Sequence, residues 1–301
     1  MINQVTKDRL LGLQKRYERL ATGNADALRE IALAELPESV HQSNAIEGST
    51  LSLEDTERVV QGLTPDGGRL VREVYEAANL AAVTVDLLSS TAPLSEGLIL
   101  RWHGRLMTGI RDDIAGRFRR GHEWVRVGSH VGANPDFVPG LVRQALQRYV
   151  DDDRTFFVDK IAWFHCEFET IHPFGDGNGR IGRVIINQQL LALGLPPVIV
   201  RARNRQADYY PRLDRYVKTD DYGGMSALLA LLLQESLHKR IAVLEGTTVV
   251  PLSRWAAAAG VRANVAANKA KRQTIPAFRV RDRWMIAGEW RPEPTGRDLA
   301  A

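Results

Sequence analysis

Apolar residues spaced three and four apart run through most of this chain, and that periodicity constrains its fold more than any other feature. Leu10, Leu13, Tyr17 and Leu20 mark one amphipathic helix; Leu28, Ile31, Ala32 and Leu36 mark another. Pro37 and Glu38 read as the first turn of a further helix through Ile46, stopped by Gly48. Helical patterns continue over 52–61, 69–90, 94–109, 140–152, 157–171, 178–193, 206–217 and 223–244, with a turn-rich break at 64–68. Strand signals are scarce. Trp124, Val125 and Val127 alternate with polar residues inside 116–139, which predicts a short β-hairpin or flap. The expected class is mainly α: a helical bundle with a hairpin flap and a small C-terminal domain.

With 301 residues, 44% of them hydrophobic and 25% charged, the chain is long enough for one large core and a small appendage. We expect a helical region at 1–60, a core at 61–245 and a basic domain at 246–301. The charged N-terminus has no apolar signal region, so a cytoplasmic address and no membrane partner are expected. Cys166, the one cysteine, sits in an apolar helical run and reads as core. From Gly246 onward ten Lys and Arg face four acids, whereas the whole chain is only +4, so the basic character belongs to the C-terminal segment. There, SRWAAAAG, ANVAANKAKRQ, AFRV and RWMI read as helix, helix and two short strands, a winged helix-turn-helix pattern with arginines suited to phosphate.

The densest chemistry lies in HPFGDGNGRIGR, His172 to Arg183. Gly175, Gly177 and Gly179 alternate with other residues where one helix ends and the next begins. Glycine lets backbone amides approach a ligand, and the following helix N-terminus adds positive potential, which together make an anion cradle. Arg180 and Arg183 project from the first turns of that helix towards the same anion, and Asn178 offers a donor to phosphate oxygens. Asp176 would repel phosphate unless a cation lay between them, which implies Mg2+ or Mn2+. His172 is the natural general base for a hydroxyl attacking phosphorus. The GxxxxGK[ST] spacing of a P-loop is absent, and no strand precedes the loop as a dinucleotide fingerprint requires.

This string resembles the Fic family signature, His-x-Phe-x-Asp/Glu-Gly-Asn-Gly-Arg-x-x-Arg, at every specified position. The likeness extends through FHCEFETIH, GRFRRGHEWVRVG, NPDFVPGLV and ADYYPRL, over roughly residues 40–235. It implies a Fic-type helical bundle and a protein adenylyltransferase that moves AMP from ATP to a Ser, Thr or Tyr hydroxyl. By similarity His172 is the base and Asp176 the metal ligand; Gly175, Gly177, Asn178 and Gly179 line the phosphate hole, and Arg180 grips the β/γ-phosphates. Phosphorylating relatives carry Lys where this chain has Gly179, so adenylylation is favoured. The flap, His122, Glu123, Trp124, Val125, Arg126, Val127 and Gly128, would pair with an extended piece of the target. Tyr209 and Tyr210 either border adenine or pack in the core.

Upstream, SNAIEGS places Ser43, Glu47 and Gly48 in a pattern that resembles the family's inhibitory motif, on the helix expected at about 37–47. A carboxylate reaching Arg183 would take the arginine that should bind the γ-phosphate. His165, Glu169 and His172 also fall at i, i+4 and i+7, a spacing open to zinc, though a core histidine is the plainer reading of His165. Two other functions stay open at this stage: a nucleotide-sensing DNA-binding regulator, and removal of AMP by the same pocket. DNA and a second copy of the chain are the further partners considered.

Overall fold

The computed structural model describes residues 1–65, 70–90, 92–128 and 130–292. The expected turn at 64–68 lies partly outside them, as do residues 293–301. The chain is mostly helical. In order it forms α1 (Gln4–Ala21), α2 (Ala25–Ile46), α3 (Leu53–Val60), α4 (Val71–Ser89), α5 (Glu96–Met107), the strands β1 (Arg126–Val127) and β2 (His130–Val131), then α6 (Val138–Asp151), α7 (Phe157–Ile171) and α8 (Asn178–Ala192). A single wide turn, Arg205–Tyr209, leads into α9 (Tyr210–Thr219) and α10 (Gly223–Leu244). The last elements are β3 (Val249–Pro251), α11 (Leu252–Ala258), α12 (Ala263–Lys271), β4 (Phe278–Val280) and β5 (Arg283–Ala287). Among the described residues no helix is long and apolar enough to cross a membrane.

Local chemistry sets several of these boundaries. Ser52 and Asp55 form a reciprocal capping box that starts α3, and the Ser95 hydroxyl caps α5. Pro37 does not begin a new helix: α2 runs through it as one helix of 22 residues. An interior proline costs about 3 kcal/mol, but Leu36, Val40 and Ile46 are buried on α2, and each is worth about 1.5–3 kcal/mol. Gln42 Oε1 also accepts the Ala202 N–H at 2.9 Å, which ties the second half of α2 to the body.

The hairpin is shorter than the alternation predicts. Only Arg126–Val127 pairs, antiparallel, with His130–Val131. Glu123 is held by Arg117 at 2.7 Å and by the Arg120 N–H at 2.9 Å, and the Trp124 N–H bonds His122 O. These bonds hold Glu123 and Trp124 outside the ladder, and pairing begins only at Val125, whose O accepts the Gly132 N–H at 3.0 Å.

Two compact units divide the chain: Met1–Gln4 with Arg29–Ala230, and Val5–Leu28 with Leu231–Ala301. In the first, α5, α7 and α8 pack a continuous core of Leu98, Ile99, Trp102, Leu106, Ile161, Phe164, Phe168, Ile181 and Ile185. In the second, Leu252, Trp255, Ala266, Ala270, Ile275 and Ile286 form a separate core, and strands lie in the order β3-β5-β4. Arg281 and Asp282, both at positive φ, make the two-residue turn between β4 and β5. The second unit also takes in α1, whose Arg16 pairs with Glu245 at 2.6 Å, so this grouping is wider than the segment 246–301 drawn from composition.

Candidate active site

His172 ends α7 in the left-handed region, φ 52° and ψ 63°, a conformation that a non-glycine residue holds only when its surroundings enforce it. Arg119 supplies the enforcement. Only 1% exposed, it donates from Nε to His172 O at 2.8 Å, and from its other nitrogens to Glu123 O at 2.9 Å, Ala133 O at 2.8 Å and Ile171 O at 3.2 Å. Its own N–H bonds Pro173 O at 2.9 Å. One buried cation thus caps the negative end of α7 and fixes the chain's exit towards the loop.

The loop is then closed on itself. Asn178 Oδ1 accepts the Phe174 N–H and its Nδ2 donates to Phe174 O, both at 2.8 Å, with the residue 2% exposed. The amide expected to serve phosphate is thus spent on the loop, because its side chain faces the backbone four residues back. Phe174 is fully buried and stacks on His103 at 3.7 Å. The Gly116 N–H donates to His103 Nδ1, so the ring proton sits on Nε2 and is donated to Asp176 O at 3.1 Å. Burial pushes His103 down to about 4, in keeping with that neutral ring. Gly177 has φ +80° and would place a Cβ 3.1 Å from Leu106 Cδ2, so the backbone needs glycine there twice over.

Asp176 and Arg180 belong to a ring of four charges with α4. Arg180, 2% exposed, holds Asp176 Oδ1 at 3.0 Å and Glu76 at 3.1 Å; Arg72 holds Asp176 Oδ2 at 2.7 Å and Glu76 at 3.0 Å. Burial would raise the Asp176 carboxyl, but Arg180, the Gly177 N–H and Arg72 outweigh it and hold it below the usual range. Arg180 therefore does not project beside Arg183 towards one anion; it faces α4, where Glu76 and Asp176 take its two terminal nitrogens.

Arg183 turns the other way, onto α2. Its Nε donates to Ser43 Oγ at 2.9 Å, and its Nη2 donates to Ser43 O at 2.9 Å and Glu47 Oε1 at 2.8 Å. Burial would lower this arginine, but Glu47, Tyr209 and Glu169 raise it above its ordinary value, so it stays charged. A Cβ on Gly179 would collide with Glu47 Oε1. The Glu47 carboxylate therefore stands against the first turn of α8, where amides point outward and an anion is favoured. Gly48, φ +99°, ends α2 directly after it.

A cavity of about 460 Å3 joins these parts, lined by Glu47, His172, Gly179, Arg183, Tyr209 and Tyr210 together with Arg126, Val127, Gly128 and His130 of the flap. The flap residues His122, Glu123, Trp124 and Val125 are not among its lining residues. Tyr209 is 3% exposed with its hydroxyl 2.6 Å from His165 Nε2, and the Tyr210 hydroxyl donates to Ile46 O at 2.8 Å. His172 Nδ1 lies 3.2 Å from Glu169 O, which makes Nδ1 the donor and leaves the Nε2 lone pair unused. Burial pushes His172 down to about 4, so the ring is neutral near pH 7. The Glu169 carboxyl, 3.9 Å from that ring, is pushed up to about 8 by burial despite Arg183.

His165 is likewise buried, and among the described residues no three His, Cys, Asp or Glu are gathered to hold a metal, so the zinc spacing on α7 is not realised as a site. Cys166 is fully buried and burial pushes its thiol up. Sequence reasoning missed Arg119, His103, Arg72, Glu76 and His130. The Arg72–Glu76 spacing of four on α4 was the one visible signal.

Comparison with known proteins fits this geometry. Residues 93–190 match the Fic/DOC family. The chain is 28% identical over 219 residues to the protein adenylyltransferase Fic of Nematostella vectensis, covering 71% of this chain and 50% of that protein. It is 32% identical over 182 residues to the protein adenylyltransferase fic-1 of Caenorhabditis elegans, covering 58% of this chain and 35% of that one. The chain thus spans about half, or less, of the length of these curated relatives. A Fic family protein from Desulfovibrio desulfuricans superposes with a TM-score of 0.65 at 22% identity, over 97% of this chain and 98% of that one, a likeness of fold. The Fic/DOC family match at residues 93–190 takes in the whole loop from His172 to Arg183.

Proposed function

We propose that this chain is a protein adenylyltransferase that transfers AMP from ATP to a Ser, Thr or Tyr hydroxyl of a protein, itself included. The observation that carries the reading is the His172 ring: neutral, fixed through Nδ1 and with Nε2 unused, beside an anion-binding helix start. Nε2 takes the proton as the hydroxyl oxygen bonds to the α-phosphorus; the bond from that phosphorus to the β-phosphate oxygen breaks, and pyrophosphate leaves. The amides at the start of α8 and the Arg183 guanidinium suit the phosphate chain. Asp176 fits a divalent cation of the kind bound by one carboxylate plus phosphate oxygens and water, since its side chain is 29% exposed and Oδ2, which accepts from Arg72, keeps a second lone pair. Mg2+ or Mn2+ there would neutralise phosphate charge. The flap edge at Arg126–Gly128 is short enough to accept a strand from the target.

Glu47 restrains this activity in our reading: it occupies Arg183 and fills the space above Gly179. Intact-mass measurement after incubation with ATP and Mg2+ tests both claims. Glu47→Gly gains the mass of one AMP, the parent chain gains little, and Glu47→Gly combined with His172→Ala gains none. No gain in any form overturns adenylyl transfer; equal gain with and without His172 overturns its role as base.

A second reading concerns the C-terminal segment, where β3 leads into two short helices, β4 and β5 follow them across a two-residue turn, and the strands lie in the order β3-β5-β4, the arrangement of a winged helix. Exposed Arg262, Lys269, Lys271 and Arg272 on or beside α12, with Arg283 after the turn, suit duplex DNA phosphates. Binding of a DNA duplex that weakens steeply with salt supports it; no retention at low salt removes it.

A further inference from the structure

The Asp176 carboxylate, read above as the metal ligand, is not idle. Arg72 Nη2 sits 2.7 Å from Oδ2, and Arg180 Nη2 sits 3.0 Å from Oδ1. The two arginines differ in freedom. Arg180 has a side chain 3% exposed, locked between Asp176 and Glu76, whereas the Arg72 side chain is 56% exposed and leaves from the first turn of α4. Hydrogen bonding to Glu76 raises Arg72 above its ordinary value, so it is a permanent cation. The ring Arg72–Asp176–Arg180–Glu76 balances two positive charges with two negative ones. A divalent ion entering it makes the ring strongly positive, and the cation that can move is Arg72.

We infer that Arg72 is a resident counter-cation of the metal site: it competes with the divalent ion for Asp176 and, once displaced, binds the phosphate chain that arrives with the ion. This rests on the reading of Asp176 as metal ligand. Arg72 becomes a nucleotide-positioning residue that nothing in the signature loop encodes, contributed by α4 about a hundred residues upstream. Its long, exposed stem gives it reach. Its tie to Glu76 keeps it near the site in either state. The same arrangement makes metal binding weak without nucleotide and strong with it, because a triphosphate offers Arg72 a better anion than a carboxylate it must share.

Mn2+ alone is the probe, its free fraction followed by electron paramagnetic resonance on the full chain, first without nucleotide and then with ATP. Arg72→Gln binds Mn2+ without nucleotide about tenfold more tightly, the effect of removing a cation a few ångströms from the ion at partial exposure. With ATP present the order reverses: Arg72→Gln binds Mn2+–ATP about tenfold more weakly, the loss of one charged hydrogen bond. Arg72→Lys restores both values towards the parent, and unchanged melting temperatures exclude a folding effect. Mn2+ affinity of Arg72→Gln that is unchanged or weaker without nucleotide overturns the inference. Asp176→Asn separates the failures: if it leaves Mn2+ binding intact, the metal reading itself falls; if it abolishes binding while Arg72→Gln changes nothing, only Arg72's role falls.

Discussion

Replacing Glu47 is the perturbation whose consequence can be worked most directly from the structure. Its Oε1 accepts Arg183 Nη2 at 2.8 Å, and the carboxylate side chain is 37% exposed while the arginine's is 7% exposed. A hydrogen bond between charged groups contributes about 1.5–3 kcal/mol, and partial exposure of the carboxylate places this one near 1.5 kcal/mol. That corresponds to about a tenfold shift between held and released Arg183. Two further bonds, to Ser43 Oγ and Ser43 O, remain after Glu47 is removed. Loss of the carboxylate also empties the space above Gly179, so ATP gains both its arginine and its path to the α8 amides. Initial rates of labelled AMP incorporation at subsaturating ATP are the assay. Glu47→Ala should exceed the parent about tenfold or more, and Glu47→Gln, which keeps the bulk but not the charge, should fall between them. Arg183→Ala added to Glu47→Ala should return the rate to the parent level or below. Rates within twofold of the parent for both Glu47 variants, with melting temperatures unchanged, would refute the reasoning.

The remaining predictions follow from buried groups. His172 is held near 4, so in a Glu47→Ala background kcat/KM falls only as pH drops towards 4, where the ring protonates; an inflection near 6.5 assignable to His172 would contradict its burial. Arg119→Met strips the donor from His172 O, Glu123 O and Ala133 O, while Ile171 O keeps the Ala133 N–H; a cost of about 3–5 kcal/mol lowers Tm by about 10 °C by thermal scan, and a loss under 2 °C, well short of that, would show that the loop does not depend on it. Glu169 has a folded pKa raised from 4.5 to about 8, so its stability contribution is intact below pH 4.5 and is lost as pH rises through about 8. Urea midpoints at pH 5 and pH 8 should differ less in Glu169→Gln than in the parent; an identical slope would place the pH dependence elsewhere.

How much of this was legible depended on the distance over which the chemistry acts. The helices and the loop could be read because periodicity and the twelve residues from His172 to Arg183 are local. The fate of the side chains could not. Arg180 and Arg183 are three residues apart and look like a pair, yet α4 draws one and α2 the other, since each helix brings its own carboxylate. Asn178 looked like a ligand donor because its use for the Phe174 backbone is a matter of loop curvature, which no spacing announces. Arg119 was invisible for the opposite reason: a buried cation works through carbonyls, and carbonyls are the same at every residue. Pro37 reads as a helix start because its local cost of about 3 kcal/mol shows in the sequence, whereas the burial that α2 gains on both sides of it does not.

Gly179 is where the proposed catalysis and the proposed restraint by Glu47 meet. A helix start that is bare of side chains presents amides to any anion that can reach it, and the absence of a Cβ there is what lets Glu47 Oε1 come so close. A triphosphate needs that same bareness. The site cannot be made receptive to phosphate without becoming receptive to a carboxylate on a neighbouring helix, so whichever anion is nearer and better paired holds Arg183. Since the carboxylate is tethered through α2, its effective concentration is independent of ATP, and on the proposed reading only binding energy brought by the nucleotide, its cation and the target can displace it.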